Sequence, residues 1–321
     1  MNPPLFSIAI PAYKQSFLKE CIESILAQSF QNYEIIIVND DSPENIDELI
    51  NPFQKNLESG KLIYKRNSPG FGGRNVTKNW DECLRLAHGD YFICMGDDDR
   101  LLPDCLQNYF KMICEYPDCS VLHCRTQIID EKSNIISLQN ASPFLESTYS
   151  MIWRRWNGMW TSFIGDYCFR LSTLRKIGGF YWMPYGRYSD YLTVYEATDQ
   201  DSCVMINDYG FQYRVNQQTL THKTDNQVDK AEAELMYKKW MKQFLLKKTN
   251  DPEKEWFRLS LSKSFDSYFA DRFSMIIKDD ICYNGVKRFF PWMHTRSNYS
   301  LSAKKVFTSF LLGIKKRLLN T

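Results

Sequence analysis

The sequence lacks the features that mark a membrane-spanning, secreted or zinc-binding chain. No uninterrupted apolar run reaches the ~18 residues that a spanning helix needs. The opening stretch MNPPLFSIAIPAYK has neither the basic segment nor the apolar length of a signal peptide. The ten cysteines form no paired C-x-x-C, and Cys114, Cys119 and Cys124 are spaced too widely for a zinc knuckle. We therefore expect buried free thiols in a reducing compartment.

Acidic residues are missing from the C-terminal end. The chain of 321 residues is 44% hydrophobic and 24% charged, which is ordinary for a globular protein. Its net charge of +2 argues against a nucleic-acid partner. From Val286 to Thr321, however, no Asp or Glu occurs among eight basic residues: Lys287, Arg288, Arg296, Lys304, Lys305, Lys315, Lys316 and Arg317. The preceding part is therefore net acidic.

Apolar runs alternate with helical periodicity over the first 125 residues. Around Leu18–Leu26 and Val76–Ala87, apolar residues recur with a 3.6-residue period, which predicts helices. Strands are predicted at Leu5–Ile10, Glu34–Val38, Lys61–Lys65, Tyr91–Met95 and Cys119–Cys124. This alternation predicts an α/β fold with a single Rossmann-like, doubly wound, mostly parallel sheet. Residues 229–280 are predicted to be helical, as a C-terminal extension.

Polar or glycine-rich segments follow each of the first four predicted strands. They read PAYK, NDDS, RNSPGFGGRN and GDDDR. Because ligands of open α/β sheets bind beyond the carboxyl ends of the strands, we expect one site at this edge. The first segment is not G-x-G-x-x-G, and no G-K-[ST] occurs, so dinucleotide and P-loop sites are excluded. A nucleotidyltransferase is disfavoured because it would carry a glycine-rich, basic loop after the first strand.

The triple aspartate Asp97–Asp99 permits two interpretations. Asp is common in solvated turns and at helix N-caps. Clustered carboxylates also bind Mg²⁺ or Mn²⁺, which leave coordination positions for phosphate oxygens. The position after an apolar strand, level with three other loops, favours the metal site. The same loops suit a nucleotide, with Tyr13 packing on a base or ribose, Asp40 or Asp41 accepting hydrogen bonds, and Arg74 meeting a diphosphate.

Taken in order, these motifs resemble the family 2 glycosyltransferases, which have the A-type glycosyltransferase (GT-A) fold. The resemblance rests on FSIAIPAYK, on LKECIESILAQSFQNYEIIIVNDDSPEN, on GGRNVTKNWDECLRLAHGDYFICMGDDDRLLPD, and on IGGF followed by SDYL. It covers most of residues 5 to 200. It implies an inverting enzyme that moves a sugar from a nucleotide-diphosphate sugar, expected to be a UDP-sugar, to an acceptor hydroxyl.

The resemblance also implies roles for individual residues. Base-binding positions correspond to Pro11, Ala12, Tyr13 and Asp40, and Arg74 falls near the uracil or phosphates. The acidic segment would contact the ribose and, through Mn²⁺ or Mg²⁺, the diphosphate. Asp97 and Asp98 are expected to bind the donor, and Asp99 and Asp98 the metal. The chain departs from the family pattern in two places, because Gly96 and Asn39 stand where aspartates are usual.

The catalytic base is expected on a different element from the metal, across the anomeric carbon. Asp190 matches the family position and is our candidate, followed by Glu196 and Asp166. A carboxylate stabilising a helix N-terminus is the other interpretation of Asp190. His222 is either a metal or diphosphate ligand or a solvent-facing loop residue. The tryptophans Trp153, Trp156 and Trp160 suit either an acceptor subsite or core packing.

These inferences divide the chain at about residue 225. A catalytic domain over 1–225 would have a nucleotide-sugar half (about 1–125) and an acceptor half (about 126–225). A helical region with a basic amphipathic tail follows over 226–321. The tail Lys304–Leu319 is either an interfacial helix on the inner membrane leaflet or a docked helix with a solvated basic face.

The expected function is extension of a glycan or lipid-linked acceptor in bacterial surface polysaccharide synthesis, such as capsule or O-antigen. The expected location is cytoplasmic, with peripheral contact to the membrane. The alternative from a different class is a catalytically silent nucleotide-sugar-binding or scaffold protein of the same fold.

Overall fold

Ten strands form one mixed sheet in the computed structural model, which describes residues 3–199, 202–216 and 227–319. The strands are β1 (Phe6–Ala12), β2 (Tyr33–Asn39), β3 (Leu62–Arg66), β4 (Tyr91–Cys94), β5 (Arg100–Leu101), β6 (Val121–Ile129), β7 (Ile135–Leu138), β8 (Leu145–Ser147), β9 (Tyr167–Arg170) and β10 (Ser202–Arg214). Along the sheet the order is β3-β2-β1-β4-β9-β6-β10-β5, with β7 beside β6 and β8 beside β10.

Helices cover the sheet and form the C-terminal part. They are α1 (Leu18–Leu26), α2 (Ile46–Ile50), α3 (Gln54–Glu58), α4 (Val76–Leu86), α5 (Cys105–Glu115), α6 (Thr148–Trp156), α7 (Leu171–Lys176), α8 (Ser189–Ala197), α9 (Gln227–Phe244), α10 (Pro252–Asn284), α11 (Phe289–Thr295) and α12 (Ala303–Leu319). All ten cysteines are free and eight are buried, as the sequence predicts.

The four strands β3, β2, β1 and β4 are parallel, which confirms the predicted fold class. All seven residues of β2 are buried, as expected for a strand covered on both faces. In register, Ala12 of β1 lies opposite Asn39 of β2, and Asn39 lies opposite Arg66 of β3. The carboxyl ends of these strands therefore lie level, and the segments that follow them meet at one edge.

The rest of the sheet brings the acidic segment to the same edge. Strand β9 lies antiparallel between β4 and β6, and β10 runs parallel to β6. The two-residue strand β5, directly after Asp99, pairs with the end of β10, with Leu101 opposite Phe211. Residues 97–99 are therefore held between the end of β4 and the end of β10.

The chain divides into two compact units, Met1–Trp182 with Ser189–Gln217, and Met183–Tyr188 with Gln218–Thr321. The second unit contains the helices α9 to α12. Helix α12 packs on α10 through the buried residues Val306, Ser309 and Gly313. Two salt bridges, from Lys305 to Asp271 (2.6 Å) and from Lys316 to Asp279 (2.9 Å), join the same helices.

One side of the basic tail therefore packs on α10, while apolar side chains on another side stay exposed. Over the described parts of the chain, we find no helix that combines the length and apolarity needed to cross a bilayer.

Gly165 gives a test of the packing below the site. A Cβ at this position would lie 2.3 Å from the ring of Phe211 and 3.1 Å from the Cβ of Met95. We expect Gly165→Ala to lower the free energy of unfolding by about 1–3 kcal/mol, measured by urea denaturation. The double variant with Phe211→Leu should lose less than the sum of the two single changes, because Leu makes room. Strict additivity would contradict this packing.

Candidate functional site

Asp97 joins the loop after β1 to the loop after β4. Its Oδ2 accepts hydrogen bonds from the backbone N–H groups of Tyr13 (2.7 Å) and Lys14 (2.6 Å). Burial raises the pKa of Asp97, while the charge of Lys14 and these two N–H groups act in the opposite direction. Asp97 therefore fixes the PAYK loop and leaves the Tyr13 ring half exposed at the edge of the sheet.

Lys14 provides a positive charge inside the acidic segment. Its ammonium donates to Asp98 Oδ2 and lies 3.4 Å from Asp97 Oδ1. Burial alone would lower the pKa of Lys14, but the charges of Asp97 and Asp98 outweigh burial and raise it. Asn216 Nδ2 also donates to Asp98 Oδ2, at 2.6 Å. Two side chains thus share one oxygen of Asp98.

The other oxygen of Asp98, Oδ1, and the Oδ2 of Asp99 both lie close to Gly96. A Cβ at Gly96 would lie 2.9 Å from Asp98 Oδ1 and 2.7 Å from Asp99 Oδ2. Burial, followed by the charge of Asp98, raises the pKa of Asp99 well above its usual range. Asp99 Oδ2 also accepts a hydrogen bond from the Gly96 N–H at 3.3 Å. Carboxylate oxygens are ligands that a hard divalent cation prefers. Within the described residues, no group of three or more His, Cys, Asp or Glu side chains has the arrangement of a metal site.

Arg214, at the end of β10, holds the acidic segment from the opposite side. Its backbone N–H donates to Asp99 Oδ1 (2.9 Å), and its Nε donates to the carbonyl of Asp98 (2.8 Å). The guanidinium is fully buried and pairs with Glu20 at 2.8 Å. A buried guanidinium is stable only when its charge is paired, as it is here with Glu20. Held in this way, Arg214 fixes the turn that carries these carboxylates through its hydrogen bonds to Asp98 and Asp99.

Asp40 fastens the glycine-rich loop after β3. Its Oδ1 accepts from Phe71 N (2.8 Å) and its Oδ2 accepts from Gly72 N (3.0 Å). Gly70 lies so close that a Cβ there would be 2.3 Å from the carbonyl oxygen of Asp40. Gly72 has a positive φ of 75° and precedes the short turn that carries Arg74. The predicted base-contacting carboxylate therefore organises the loop beside it.

Asn39 stands where an aspartate is usual, and its side chain hydrogen-bonds to neighbouring protein groups. Its side chain donates to Tyr64 Oη (3.0 Å) and accepts from Ser42 N (2.9 Å). Both polar ends of the amide are therefore engaged in shaping the NDDS turn.

Asp190 lies in the first turn of α8 and is partly buried. Burial raises its pKa to about 7, against the opposing charge of Arg155. The Arg155 guanidinium lies 3.2 Å from the centre of the Tyr191 ring, and its Nε donates to Tyr195 Oη at 3.2 Å. A carboxyl with a pKa near 7 is suited to accept a proton at neutral pH.

Tyr213 connects the two acidic regions electrostatically. Burial raises the pKa of its phenol, and the charges of Asp99, Asp98 and Asp190 raise it further. Its ring stacks on Phe163 with the ring centres 3.9 Å apart. The charges of Asp190 and of the acidic segment therefore both raise the pKa of this one phenol.

The other residues that the sequence predicted for the site differ in their burial and contacts. Asp166 is fully buried and accepts from Thr126 Oγ1 (2.8 Å), so it does not face an acceptor. Trp160 is buried against His123, with the ring centres 5.4 Å apart, which agrees with core packing. His222 lies outside the described residues. Pro11 and Ala12 complete β1 just before the exposed ring of Tyr13.

Sequence reasoning missed four residues that shape the site: Lys14, Arg155, Arg214 and Tyr213. Lys14 was visible as the last letter of PAYK, and its proximity to Asp97 follows from β1 and β4 being neighbours. Tyr213 and Arg214 lie at the end of β10, whose place in the sheet follows from the antiparallel strand β9, and Arg155 lies on helix α6. No local pattern marks them.

Comparison with known proteins supports the same family. A model described as glycosyl transferase family 2 matches residues 7–178, just over half of the chain. An uncharacterized glycosyltransferase of Methanocaldococcus jannaschii is 31% identical over 140 residues, which is 42% of this chain and 46% of the relative. The glycosyltransferase GlyG of Streptococcus pneumoniae is 30% identical over 112 residues, 35% of this chain and 36% of GlyG. The chain thus matches less than half of the length of these relatives.

Solved structures share the fold. The S. aureus protein TarS (residues 1–349, with UDP-GlcNAc) has a TM-score of 0.65 at 14% identity, covering 97% of this chain and 91% of that one. The mannosyltransferase PcManGT of Pyrobaculum calidifontis, solved with GDP-Man and Mn²⁺, has a TM-score of 0.59 at 12% identity, covering 100% and 88%. The resemblance seen in the sequence motifs is confirmed, and the chain belongs to glycosyl transferase family 2 and has the GT-A fold.

Proposed function

We propose that this protein is an inverting glycosyltransferase that uses a nucleotide-diphosphate sugar, with a UDP-sugar as the donor. The observation that supports this best is the presence of two separate acidic sites. One is the set of convergent oxygens of Asp98 and Asp99 at the carboxyl edge of the sheet. The other is Asp190, whose pKa of about 7 suits a general base. Transfer with inversion needs both, on opposite sides of the anomeric carbon.

The donor would bind along the loops after β1, β2 and β3. The exposed ring of Tyr13, preceded by Pro11 and Ala12, would pack on the base, and Asp40 would contact it as well. Arg74 would meet the diphosphate with its guanidinium. Asp97 and Asp98 would contact the ribose and phosphates. Nucleotide-sugar complexes of TarS and PcManGT support a donor of this class.

Asp98 and Asp99 would hold Mn²⁺ or Mg²⁺ above Gly96. A cation bound there would stabilise the negative charge that develops on the leaving diphosphate. Mn²⁺ accompanies GDP-Man in the complex of PcManGT. Arg214 holds the Asp99 carboxylate through its backbone N–H and the backbone carbonyl of Asp98 through its guanidinium.

The reaction would proceed as a single displacement. The carboxylate of Asp190 takes the proton of the acceptor hydroxyl, and the acceptor oxygen forms a bond to the anomeric carbon. The bond from that carbon to the diphosphate oxygen breaks, and the diphosphate leaves with the electron pair. Burial of Asp190 keeps its proton affinity high enough for this transfer near neutral pH.

We further propose that residues 1–225 carry the catalysis and that residues 226–321 serve another role. The acceptor would be a glycan or a lipid-linked sugar in surface polysaccharide synthesis, of the capsule or O-antigen kind, at the cytoplasmic face of the membrane. The basic C-terminal end with its exposed apolar side chains supports an acceptor that is anchored in a lipid bilayer.

A donor panel tests the activity. Incubated with Mn²⁺ and single nucleotide-sugars, the protein should slowly release nucleoside diphosphate from one of them. We expect Asp99→Asn to reduce this release by about 100-fold or more, because the leaving group loses its stabilisation. The exposed Asp118→Asn is the matched control and should leave release unchanged. Nucleotide-sugar binding with no release, even with acceptors supplied, would instead indicate a scaffold protein.

The pH profile tests the base. Because a carboxylate acts as a base only when deprotonated, kcat/KM for transfer should rise with pH to a plateau, with its midpoint near 7. Asp190→Asn should lower transfer by about 10²–10⁴-fold on the plateau above pH 7 and by less at lower pH, where the wild-type carboxylate is itself protonated. Arg155→Leu removes a charge that lowers the pKa of Asp190, so the midpoint should move up by about one pH unit. Tyr195→Phe keeps that charge and should keep the midpoint. An Arg155→Leu profile identical to wild type would exclude this pairing.

Lys14 is expected to compete with the cation for the acidic segment. Its ammonium already neutralises Asp97 and Asp98, so a divalent ion binds against that charge. Lys14→Met should therefore bind Mn²⁺ about tenfold more tightly, as measured from the electron paramagnetic resonance of unbound Mn²⁺. Lys19→Met, on the exposed face of α1, is the control. Unchanged or weaker Mn²⁺ binding in Lys14→Met would contradict the competition.

A further inference from the structure

Helices α11 and α12 expose a continuous apolar surface beside the contact with α10. On α12, Phe307, Leu311 and Leu318 are exposed by 49%, 50% and 70%, and Phe290 of α11 by 73%. Spacings of four and seven residues put the three α12 side chains on one side of the helix. The residues that contact α10 (Val306, Ser309 and Gly313) lie on another side. The exposed stripe is therefore additional to the packing that holds the helix.

Aromatic rings connect the two helices into one patch. Phe289 lies between them, with its ring centre 4.5 Å from that of Phe310 and 5.6 Å from that of Phe290. Phe307 continues the group at 6.3 Å from Phe289. We name the patch formed by these four rings with Leu311, Ile314 and Leu318 the α11–α12 apolar face.

Lysines flank this face and acidic residues are lacking on its helices. Lys287, Lys304 and Lys315 are exposed, and residues 286–321 contain no Asp or Glu. The acidic residues that α10 turns toward these helices are each paired with a cation: Asp271 with Lys305, Asp279 with Lys316, and Asp280 with Arg288. The net charge around the apolar face is therefore positive.

The combination of an apolar face with flanking lysines indicates which kind of partner binds there. Two copies of the chain meeting through the same face would bring their lysines together, which is unfavourable. A bilayer with anionic lipids offers an apolar interior for the phenylalanine and leucine side chains, and negative headgroups for the lysines. We propose that the α11–α12 apolar face binds the surface of an anionic membrane, with α12 lying parallel to the bilayer plane. The inference concerns the helical unit alone and does not depend on the proposed transfer chemistry.

Vesicle co-sedimentation of the full chain tests this binding. The wild-type protein should sediment with vesicles of phosphatidylethanolamine and phosphatidylglycerol, and not with pure phosphatidylcholine. Binding should fall at least about tenfold in about 1 M NaCl, where the Debye length is about 3 Å. The double variant Phe307→Ser/Leu311→Ser should lose at least about tenfold in affinity, and Lys304→Glu/Lys315→Glu should lose a similar factor on anionic vesicles.

Matched controls separate surface chemistry from folding. Leu246→Ser/Leu259→Ser removes exposed leucines elsewhere in the helical unit, and Lys239→Glu/Lys263→Glu reverses exposed lysines there. Both should bind vesicles like wild type, and all variants should keep the wild-type circular dichroism melting curve. Failure of the wild type to sediment with anionic vesicles would overturn the proposal, as would equal binding by Phe307→Ser/Leu311→Ser. A concentration-dependent dimer that this variant abolishes would overturn it in favour of self-association.

Discussion

Burial of three adjacent carboxylates is the constraint on which the carboxyl edge of the sheet depends. Asp97, Asp98 and Asp99 repel one another and lose hydration, which is costly in free energy unless partners compensate. The compensation comes from both sides of the sheet edge, through Lys14 on the loop after β1 and Arg214 at the end of β10. The acidic turn is thus a junction that connects the loop after β1 with the end of β10.

Sequence patterns predicted the parallel part of the fold because its information is local. Continuous apolar runs such as that of β2, alternating with periodic helices, specify covered parallel strands. The antiparallel insertion of β9 between β4 and β6 has no such signature, since β9 is four residues long and follows a short turn. That insertion determines where β10 lies, and therefore where Arg214 and Tyr213 meet the acidic segment.

The candidate site likewise contains residues that the sequence predicted and residues that it did not. Its acidic residues and its glycine-rich loop were predictable because they follow strands whose carboxyl ends lie level. Their partners were not, because pairing across the sheet depends on distances that no spacing in the sequence encodes. Asp40 illustrates this: its type and position indicated a ligand contact, while its hydrogen bonds to Phe71 and Gly72 assign it to loop architecture as well.

Gly96 has a consequence for how this chain can diverge. Family members usually carry an aspartate there, but here two carboxylate oxygens lie within 2.9 Å of the point where its Cβ would stand. An aspartate at position 96 would add a fourth carboxylate beside these two oxygens, and its Cβ would require them to move. Because both oxygens are at the ends of side chains, a rotamer change of Asp98 or Asp99 would accommodate the new Cβ. The effect of an aspartate at position 96 would thus depend on Asp98 and Asp99, so the three positions are coupled through the volume that they share.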